Sequence, residues 1–190
     1  LTSKRYAESR RKLIDPNRAR HHTLTGLPRG GTVYLTVVDK DRNACSLINS
    51  IYYGFGSGVI VPKTGVVLHN RGALFSLDET HPTALAPGKR PYQTIIPAMA
   101  FKAGRLWSSF GVMGGHIQPQ GHTQVMLNAI DFGMNPQQAL DAPRVVWRFE
   151  NSVSVEAGID DRALAALGHD VIPGNGFGGG QIIVIDPESG

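Results

Sequence analysis

The chain has 190 residues, of which 41% are hydrophobic and 18% are charged, values typical of one globular domain with a substantial core. No apolar run is long enough to span a bilayer, and the single cysteine, Cys45, excludes an internal disulfide and a cysteine-based metal site. The chain begins at Leu1 without a methionine or a signal-like segment, so we expect it to be part of a longer protein.

The net charge of +4 is concentrated near the N-terminus. A nucleic-acid-binding arm is one interpretation of this cluster, but Tyr6 is its only aromatic residue, and a solvated helix face explains the charges more simply. We therefore expect no nucleic-acid partner. The basic residues of the cluster are Lys4, Arg5, Arg10, Arg11, Lys12, Arg18, Arg20 and Arg29.

The first predicted element is a helix over Ser3–Ile14, with Ser3 as a possible N-cap and a proline beyond its end. The segment Asn17–Gly31 has no periodicity and predicts a connector. Two adjacent histidines in this connector, His21 and His22, cannot easily share a metal ion from one loop, so we expect them to be exposed.

Two glycines, Gly30 and Gly31, precede a β-rich run over Thr32–Asp39 that predicts a buried strand. The simplest interpretation is a tight turn into a strand, because glycine tolerates unusual backbone angles. The alternative is chemical, since the Thr32 hydroxyl could attack its own preceding carbonyl. Cleavage there would give Thr32 a free α-amine, whose reference pKa of roughly 7.7–8.0 suits a base beside the hydroxyl.

A second strand is predicted over Ala44–Tyr53, after a polar turn. The resulting hairpin would bring Ser50 close to Thr32. The following Gly54–Gly58 lacks the Lys-Ser/Thr ending of a phosphate loop and predicts a sharp bend instead.

Short strands are predicted over Val59–Pro62 and Gly65–His69, and Arg71 follows the second of them. The planar guanidinium group of Arg71 suits a carboxylate ligand, and a surface ion pair is the alternative. The polar segment Ser76–Pro91 predicts a long ordered loop.

A second hairpin is predicted over Thr94–Lys102 and Arg105–Val112, followed by a helix over Gln118–Phe132. Gly114 and Gly115 therefore lie between a strand and a helix, where unpaired backbone N–H groups cluster. Such donors can stabilise the oxyanion of an acyl-transfer intermediate, although a plain turn is the simpler interpretation. The later predicted elements are strands over Val145–Phe149, Ser152–Glu156 and Gln181–Asp186, a helix over Asp160–Leu167 and a glycine-rich loop over Gly174–Gly180.

These segments together resemble the γ-glutamyltransferase family, also called γ-glutamyltranspeptidases, of the N-terminal-nucleophile hydrolase superfamily. A collinear set of matches is far more specific than any one motif, and it favours the nucleophile over the simple turn at Thr32. The matching segments are Ser3–Ala7, Ile14-Asp15, Thr32, Leu35–Asp41, Phe55–Gly58, Gly88–Pro91, Pro97, Gly114-Gly115, Asp131–Asn135 and Asp141–Arg144.

The resemblance implies an α+β fold with two stacked antiparallel sheets, a four-layer αββα sandwich that is incomplete without the family's large subunit. Residues 1–31 would be the C-terminal end of that large subunit with the linker to the processing site, and residues 32–190 a C-terminally truncated small subunit. Cleavage between Gly31 and Thr32 would make Thr32 the nucleophile. By position, Ser50 would hydrogen-bond Thr32, and Gly114 and Gly115 would form the oxyanion hole.

Several substrate-binding positions depart from family members that act on glutathione. Those members usually have an asparagine at the position of Tyr52, an acidic or amide residue at Arg71, an aspartate at Leu74, and paired serines at Gln93 and Thr94. The pattern Asn70–Gly72 with Phe75–Asp78 instead resembles a divergent γ-glutamyltransferase-like branch, some of whose relatives are cephalosporin acylases acting on glutaryl side chains. Leu74 cannot pair with the α-ammonium of a γ-glutamyl group, whereas Arg71 suits an anionic acyl group without an amine.

We therefore expect an autoprocessed threonine-nucleophile amidase and acyltransferase that cleaves γ-glutamyl amide bonds of glutathione-like compounds, by hydrolysis or by transfer to amino acids or peptides. A glutaryl or cephalosporin acylase-like amidase and an unprocessed non-catalytic relative are the alternatives. The expected partners are the large subunit and the small-molecule donor, with no cofactor. No metal is expected, because His116 and His122 are poorly spaced for one helix face. Cytoplasmic and periplasmic or secreted locations both stay open.

Overall fold

The computed structural model describes residues 4–12 and 31–186 and confirms the α+β class. The strands in this part of the chain form three sheets, with the orders β1-β2, β3-β4-β8 and β5-β6-β7. The helices are α1 (Lys4–Arg11), α2 (Gln118–Ile130), α3 (Pro136–Asp141) and α4 (Arg162–Ala166), with 3₁₀ helices at Arg71–Leu74 and Gly115–Ile117. The strands are β1 (Thr32–Val38), β2 (Ala44–Ser50), β3 (Ala98–Lys102), β4 (Arg105–Met113), β5 (Val145–Phe149), β6 (Ser152–Val155), β7 (Asp170–Pro173) and β8 (Gly179–Val184).

Strands β1 and β2 form the predicted hairpin, and the Asp39 side chain closes its turn. The Asp39 Oδ1 atom accepts hydrogen bonds from the backbone N–H groups of Asp41 (2.9 Å) and Asn43 (2.8 Å). Such side-chain-to-backbone bonds are the reason that aspartate favours turns. The resulting antiparallel register pairs Thr32 with Ser50, as the sequence predicted.

The inner face of this hairpin packs on strand β4. The ring of Tyr34 covers Gly111, where an added Cβ would lie 2.6 Å from the ring, and the hydroxyls of Thr36 and Ser109 share a 2.6 Å hydrogen bond. A step of two residues along β1 therefore corresponds to a step of two residues, in the opposite direction, along β4. When this register is extended by two more residues, Thr32 lies opposite the end of β4, next to the turn that follows this strand.

Helices α2 and α3 cover the other side of β4, where Val112 and Val125 are completely buried. The hairpin, the β4 sheet and these helices form successive β, β and α layers. Two apolar residues near the C-terminal end of α2, Ile130 and Phe132, are nevertheless 60% and 71% exposed. Ile130 lies five residues from Val125, which is about 140° around a helix axis, and Phe132 lies beyond the last helical residue.

The third sheet is joined to helix α2 by two glutamine side chains. Gln120 accepts the backbone N–H of Trp147 at 2.8 Å and donates to its carbonyl at 3.1 Å. Gln124 makes the same pair of bonds with Val145, both at 2.8 Å. Strand β7 runs parallel to β6 in this third sheet, whereas the two sheets that pack on each other, β1-β2 and β3-β4-β8, are antiparallel as predicted.

Three predicted strands differ clearly from the structure. Strand β3 begins at Ala98 rather than at Thr94, because Pro97 has no N–H group to donate to a sheet. The strands predicted over Val59–Pro62 and Gly65–His69 are reduced to one isolated antiparallel bridge. The chain around the bridge consists of turns, and the predicted bend at residues 54–58 is present.

Helix α3 and strand β7 were not predicted. Helix α3 begins with a capping box, in which the side chain of Asn135 accepts the backbone N–H of Gln138, and the side chain of Gln138 accepts the backbone N–H of Asn135. Strand β7 has only four residues and pairs with β6 in the register Ser152–Asp170. Both elements are too short for hydrophobic periodicity to identify them.

Some predictions fall outside the residues that the structure describes. They concern Ser3, the end of the first helix beyond Lys12, and the connector with His21 and His22. Within residues 4–12 and 31–186, no helix combines the length and the apolar character needed to cross a membrane. The same residues contain no group of three or more His, Cys, Asp or Glu side chains that could hold a metal ion.

Candidate active site

Thr32 begins strand β1, and its hydroxyl group is oriented by Ser50. Thr32 Oγ1 donates a 2.9 Å hydrogen bond to Ser50 Oγ. The same Ser50 oxygen accepts the backbone N–H of Tyr52 at 3.0 Å. Because two donors converge on one serine oxygen, the position of the Thr32 hydroxyl is fixed by β2 and by the residues directly after it.

Gly31, on the other side of the proposed processing bond, is tightly held by the end of the same hairpin. Its carbonyl oxygen accepts the backbone N–H of Ile51 at 3.2 Å. A Cβ added to Gly31 would lie 2.7 Å from Ile51 Cγ1, a distance that real side chains do not reach. A side chain at this position would therefore require the side chain of Ile51, the residue directly after β2, to move.

The predicted oxyanion turn connects β4 with the 3₁₀ helix that precedes α2. Gly114 has a φ of +143° and Gly115 a φ of +65°, which are conformations that L-residues rarely adopt. Neither backbone N–H donates a hydrogen bond to another described residue. Two consecutive N–H donors without a partner among the described residues thus lie at the end of β4. The packing of β1 on β4 places Thr32 at the same end of this strand.

Arg71 is buried, being only 3% exposed, so a surface ion pair does not explain it. Its Nη1 atom donates a 2.8 Å hydrogen bond to Thr94 Oγ1, and its guanidinium carbon lies 5.1 Å from the centre of the Tyr52 ring. Its Nη2 atom is buried with no hydrogen-bond partner among the described residues. Burial lowers the pKa of Arg71 from its usual value, but an arginine side chain still keeps its charge. The guanidinium group therefore has one N–H donor group with no acceptor among the described residues, and an anion is the kind of ligand that suits it.

Tyr52 connects Arg71 with the oxyanion turn. Its hydroxyl group forms a 3.1 Å hydrogen bond with Nε2 of His116, the residue directly after Gly115. Burial, followed by the hydrogen bond with Tyr53, raises the pKa of Tyr52 to about 12, so the phenol keeps its proton at neutral pH. Tyr52 also holds a left-handed φ of +73°, which is uncommon outside glycine.

The sequence did not identify His116 as part of this site. The His116 ring stacks on Tyr92 with a centroid distance of 5.9 Å and an interplanar angle of 12°. Its position next to Gly114-Gly115 was the one available signal. Of the other residues predicted to bind substrate, Thr94 is buried and contacts Arg71, whereas Gln93 is exposed and lies outside these contacts.

His122, whose spacing from His116 argued against a metal site, is buried within the fold. Its Nε2 atom accepts the backbone N–H of Val112 at 2.8 Å. Burial lowers the pKa of His122 below its usual value, which keeps the ring neutral and able to accept this bond. His122 therefore supports β4 from the helix side.

Comparison with known proteins places this geometry in one family. The family model for gamma-glutamyltranspeptidase matches residues 1–189. A cephalosporin acylase structure from Bacillus halodurans is 47% identical with a TM-score of 0.78, and the alignment covers 99% of this chain and 35% of that one. The likeness confirms the predicted fold of the N-terminal-nucleophile hydrolase type.

Two curated relatives are similar over shorter stretches. A glutathione hydrolase-like proenzyme of Bacillus subtilis is 47% identical over 116 residues, covering 61% of this chain and 22% of that protein. An oxamate amidohydrolase proenzyme of Klebsiella pneumoniae is 42% identical over 151 residues, covering 75% of this chain and 28% of that protein. The chain thus spans less than a third of the length of these two relatives. Since the family model matches nearly all of its residues, the chain belongs to the γ-glutamyltranspeptidase family.

Proposed function

We propose that this chain is the catalytic part of an autoprocessed threonine-nucleophile amidase and acyltransferase. The observation that carries the proposal is the 2.9 Å hydrogen bond from Thr32 Oγ1 to Ser50 Oγ at the open end of the hairpin. The packing register of β1 on β4 supports a location for Thr32 beside the Gly114-Gly115 turn. A hydroxyl nucleophile close to paired backbone donors is the arrangement that acyl transfer needs.

In the proposed reaction, Thr32 Oγ1 attacks the carbonyl carbon of an amide, and the hydroxyl proton passes to the α-amine of the same residue. The N–H groups of Gly114 and Gly115 stabilise the negative oxygen of the tetrahedral intermediate. Collapse of the intermediate protonates and releases the amine and leaves the acyl group as an ester on Thr32. Water then hydrolyses the ester, or the amine of an amino acid or peptide accepts the acyl group. In this proposal the protein supplies the nucleophile, the base and the oxyanion donors, and no step uses a cofactor.

The free α-amine requires cleavage of the bond between Gly31 and Thr32. We propose that Thr32 Oγ1 attacks the carbonyl carbon of Gly31 and that the C–N bond then breaks, so that the peptide bond becomes an ester and the α-amine of Thr32 is freed. Water then hydrolyses the ester and separates the two chains. The two curated relatives described above are named proenzymes, which supports maturation by cleavage. N-terminal sequencing of the mature protein tests this directly. A new N-terminus at Thr32 is expected, whereas a single uncut chain would favour a non-catalytic relative.

The partner proposed for this chain is the large subunit released by the same cleavage. The outer face of the hairpin supports a further layer, because a row of apolar side chains is exposed there. These side chains are Val33, Leu35, Val37 and Leu47. Residues 1–31 would then end the large subunit, and residues 32–190 would belong to the small one.

The proposed acyl donor is a γ-glutamyl amide such as glutathione, which the family and the glutathione hydrolase-like relative support. Arg71 favours a second candidate, a donor whose acyl group ends in a carboxylate and carries no ammonium, such as a glutaryl amide. Its buried Nη2 atom has no hydrogen-bond partner among residues 4–12 and 31–186, and Leu74 offers no anion for an ammonium group. Oxamate, in the name of the amidohydrolase relative, is also an amide that carries a carboxylate and no ammonium.

Kinetics with glutaryl-p-nitroanilide and γ-glutamyl-p-nitroanilide distinguish the two donors. If Arg71 binds the acyl carboxylate, Arg71→Ala is expected to lower kcat/KM for the glutaryl compound by about tenfold to a hundredfold, since a charge-assisted hydrogen bond contributes ~1.5–3 kcal/mol. Pentanoyl-p-nitroanilide, which lacks the carboxylate, serves as the control donor and should respond little. A strong preference for the γ-glutamyl donor that Arg71→Ala leaves unaltered would remove Arg71 from the acyl pocket.

The variant Leu74→Asp tests the same choice between the glutaryl and the γ-glutamyl donor by adding a charge instead of removing one. Residues three apart lie above one another in a 3₁₀ helix, so an aspartate at position 74 would be adjacent to Arg71. Leu74→Asp is therefore expected to shift the ratio of kcat/KM values toward the γ-glutamyl donor, whose ammonium group gains an anionic partner. Measuring that ratio for wild type and Leu74→Asp checks the charge argument without truncating the buried arginine.

Ser50→Ala is expected to lower kcat by about tenfold to a hundredfold, because a nucleophile that loses its positioning contact is displaced from the attacking geometry. Ser46→Ala is the matched control on the same strand, since the Ser46 hydroxyl bonds to Tyr34 at 2.8 Å and has no contact with Thr32. Equal kcat values for the two variants would show that Ser50 does not orient the nucleophile.

A further inference from the structure

The glycine-rich segment 174–178 connects β7 with β8 and is anchored by Phe177. The Phe177 ring is buried in a cluster with Ile117 and Val146. The Phe177 backbone N–H donates a 2.9 Å hydrogen bond to a carboxylate oxygen of Glu156, and the guanidinium carbon of Arg148 lies 5.3 Å from the centre of the Phe177 ring. Packing and charge therefore hold this residue in one place.

The next residue, Gly178, is in direct contact with the proposed oxyanion turn. Gly178 has a φ of +81°, and a Cβ added to it would overlap the carbonyl oxygen of Met113 and lie 3.5 Å from the Cα of Gly114. Conversely, a Cβ added to Gly114 would lie 3.1 Å from the Cα of Gly178. The two backbones are thus in contact, immediately beyond the last pair of the β4–β8 ladder, Met113 with Gly179.

We propose that Gly178 is a positioning residue that sets the direction of the oxyanion-hole amides. The inference rests on the proposed function, because it needs Gly114 and Gly115 to bind the oxyanion. Neither glycine amide is held by a hydrogen bond within the described residues, so packing must fix the turn. That packing comes from the Gly178 backbone on one side and from Ile117 on the other, and Phe177 supports both.

The test compares Gly178→Ala with Gly176→Ala in the protein with its large subunit. Gly176 lies in the same segment with a similar φ of +64°, but a Cβ there meets nothing within 4 Å. Both variants therefore carry similar backbone strain, but only the Cβ added in Gly178→Ala overlaps Met113 and displaces the turn. We expect Gly178→Ala to lower kcat by about tenfold to a hundredfold with KM nearly unchanged, since displacement by about 1 Å can have that effect. Gly176→Ala should stay within about twofold of wild type in kcat, since its added Cβ displaces no reacting group.

A second measurement separates misplacement of the amides from a general loss of structure. A boronic acid analogue of the donor adds to a hydroxyl nucleophile and forms a tetrahedral anion, so its affinity reports on the oxyanion hole. We expect its dissociation constant to rise in Gly178→Ala by the same factor as kcat/KM falls, as for any transition-state analogue. If Gly178→Ala does not fold, Phe177→Leu gives the same two measurements through the anchor.

The possible outcomes are distinct. Equal kcat values for Gly178→Ala and Gly176→Ala, or a fall in kcat without weaker boronic acid binding, would overturn the inference while leaving the proposed function in place. For Phe177→Leu, unchanged kcat and unchanged boronic acid affinity would overturn it likewise. A processed wild-type protein that cleaves no amide donor would overturn the proposed function, and the inference with it.

Discussion

Thr32→Ala is expected to abolish amide cleavage and to leave the Gly31-Thr32 bond intact. The variant removes the atom that attacks in both reactions, so activity should fall by about 10⁴-fold or more, as in other enzymes that lose their nucleophile. Mass spectrometry of the purified protein measures maturation, and p-nitroaniline release measures turnover.

Two variants serve as controls for this prediction. Thr36→Ala removes the same side-chain atoms from the same face of β1, where the hydroxyl forms a hydrogen bond with Ser109, and should still mature and turn over. Thr32→Ser keeps a hydroxyl group and should retain part of both activities. Maturation of Thr32→Ala at the same bond, with no protease present, would exclude self-cleavage through this hydroxyl.

The second large effect is expected from Gly114→Ala. Proline, which would delete the N–H donor, requires a φ near −65°, whereas Gly114 has +143°, so proline would rebuild the turn rather than remove one donor. Alanine keeps the N–H, but its Cβ would overlap Ile117 Cγ2 and contact the Gly178 backbone. The turn must move, and turnover should fall by about two to three orders of magnitude, the effect of losing an oxyanion donor.

Gly133→Ala is the matched control for this variant. Gly133 also has a positive φ, +63°, but an added Cβ there meets nothing within 4 Å. Thermal unfolding of both variants measures the loss of stability that each added Cβ causes, and steady-state kinetics measure the effect on turnover. Turnover of a folded Gly114→Ala protein at the wild-type rate would exclude Gly114 from the oxyanion hole.

The amino-acid sequence by itself determined the elements that depend on local signals. The β1–β2 hairpin followed from two β-rich runs around a polar turn, and its antiparallel register alone brings Ser50 opposite Thr32. The position of Gly114 and Gly115 between a strand and a helix followed from the change of hydrophobic period from two to 3.6 residues. The collinear motifs also predicted the family, which the match over residues 1–189 confirms.

Only the tertiary structure decided which residues surround these groups. The environment of Arg71 depends on Tyr52 and Thr94, which lie about 20 residues away on either side, and the loss of its solvent cannot be read from neighbouring residues. The link from Tyr52 to His116 spans 64 residues, and the contact of Gly178 with Gly114 joins two segments that meet only because β8 pairs with β4. Such contacts form when distant parts of the chain bury each other's surfaces, so no local pattern of side chains encodes them.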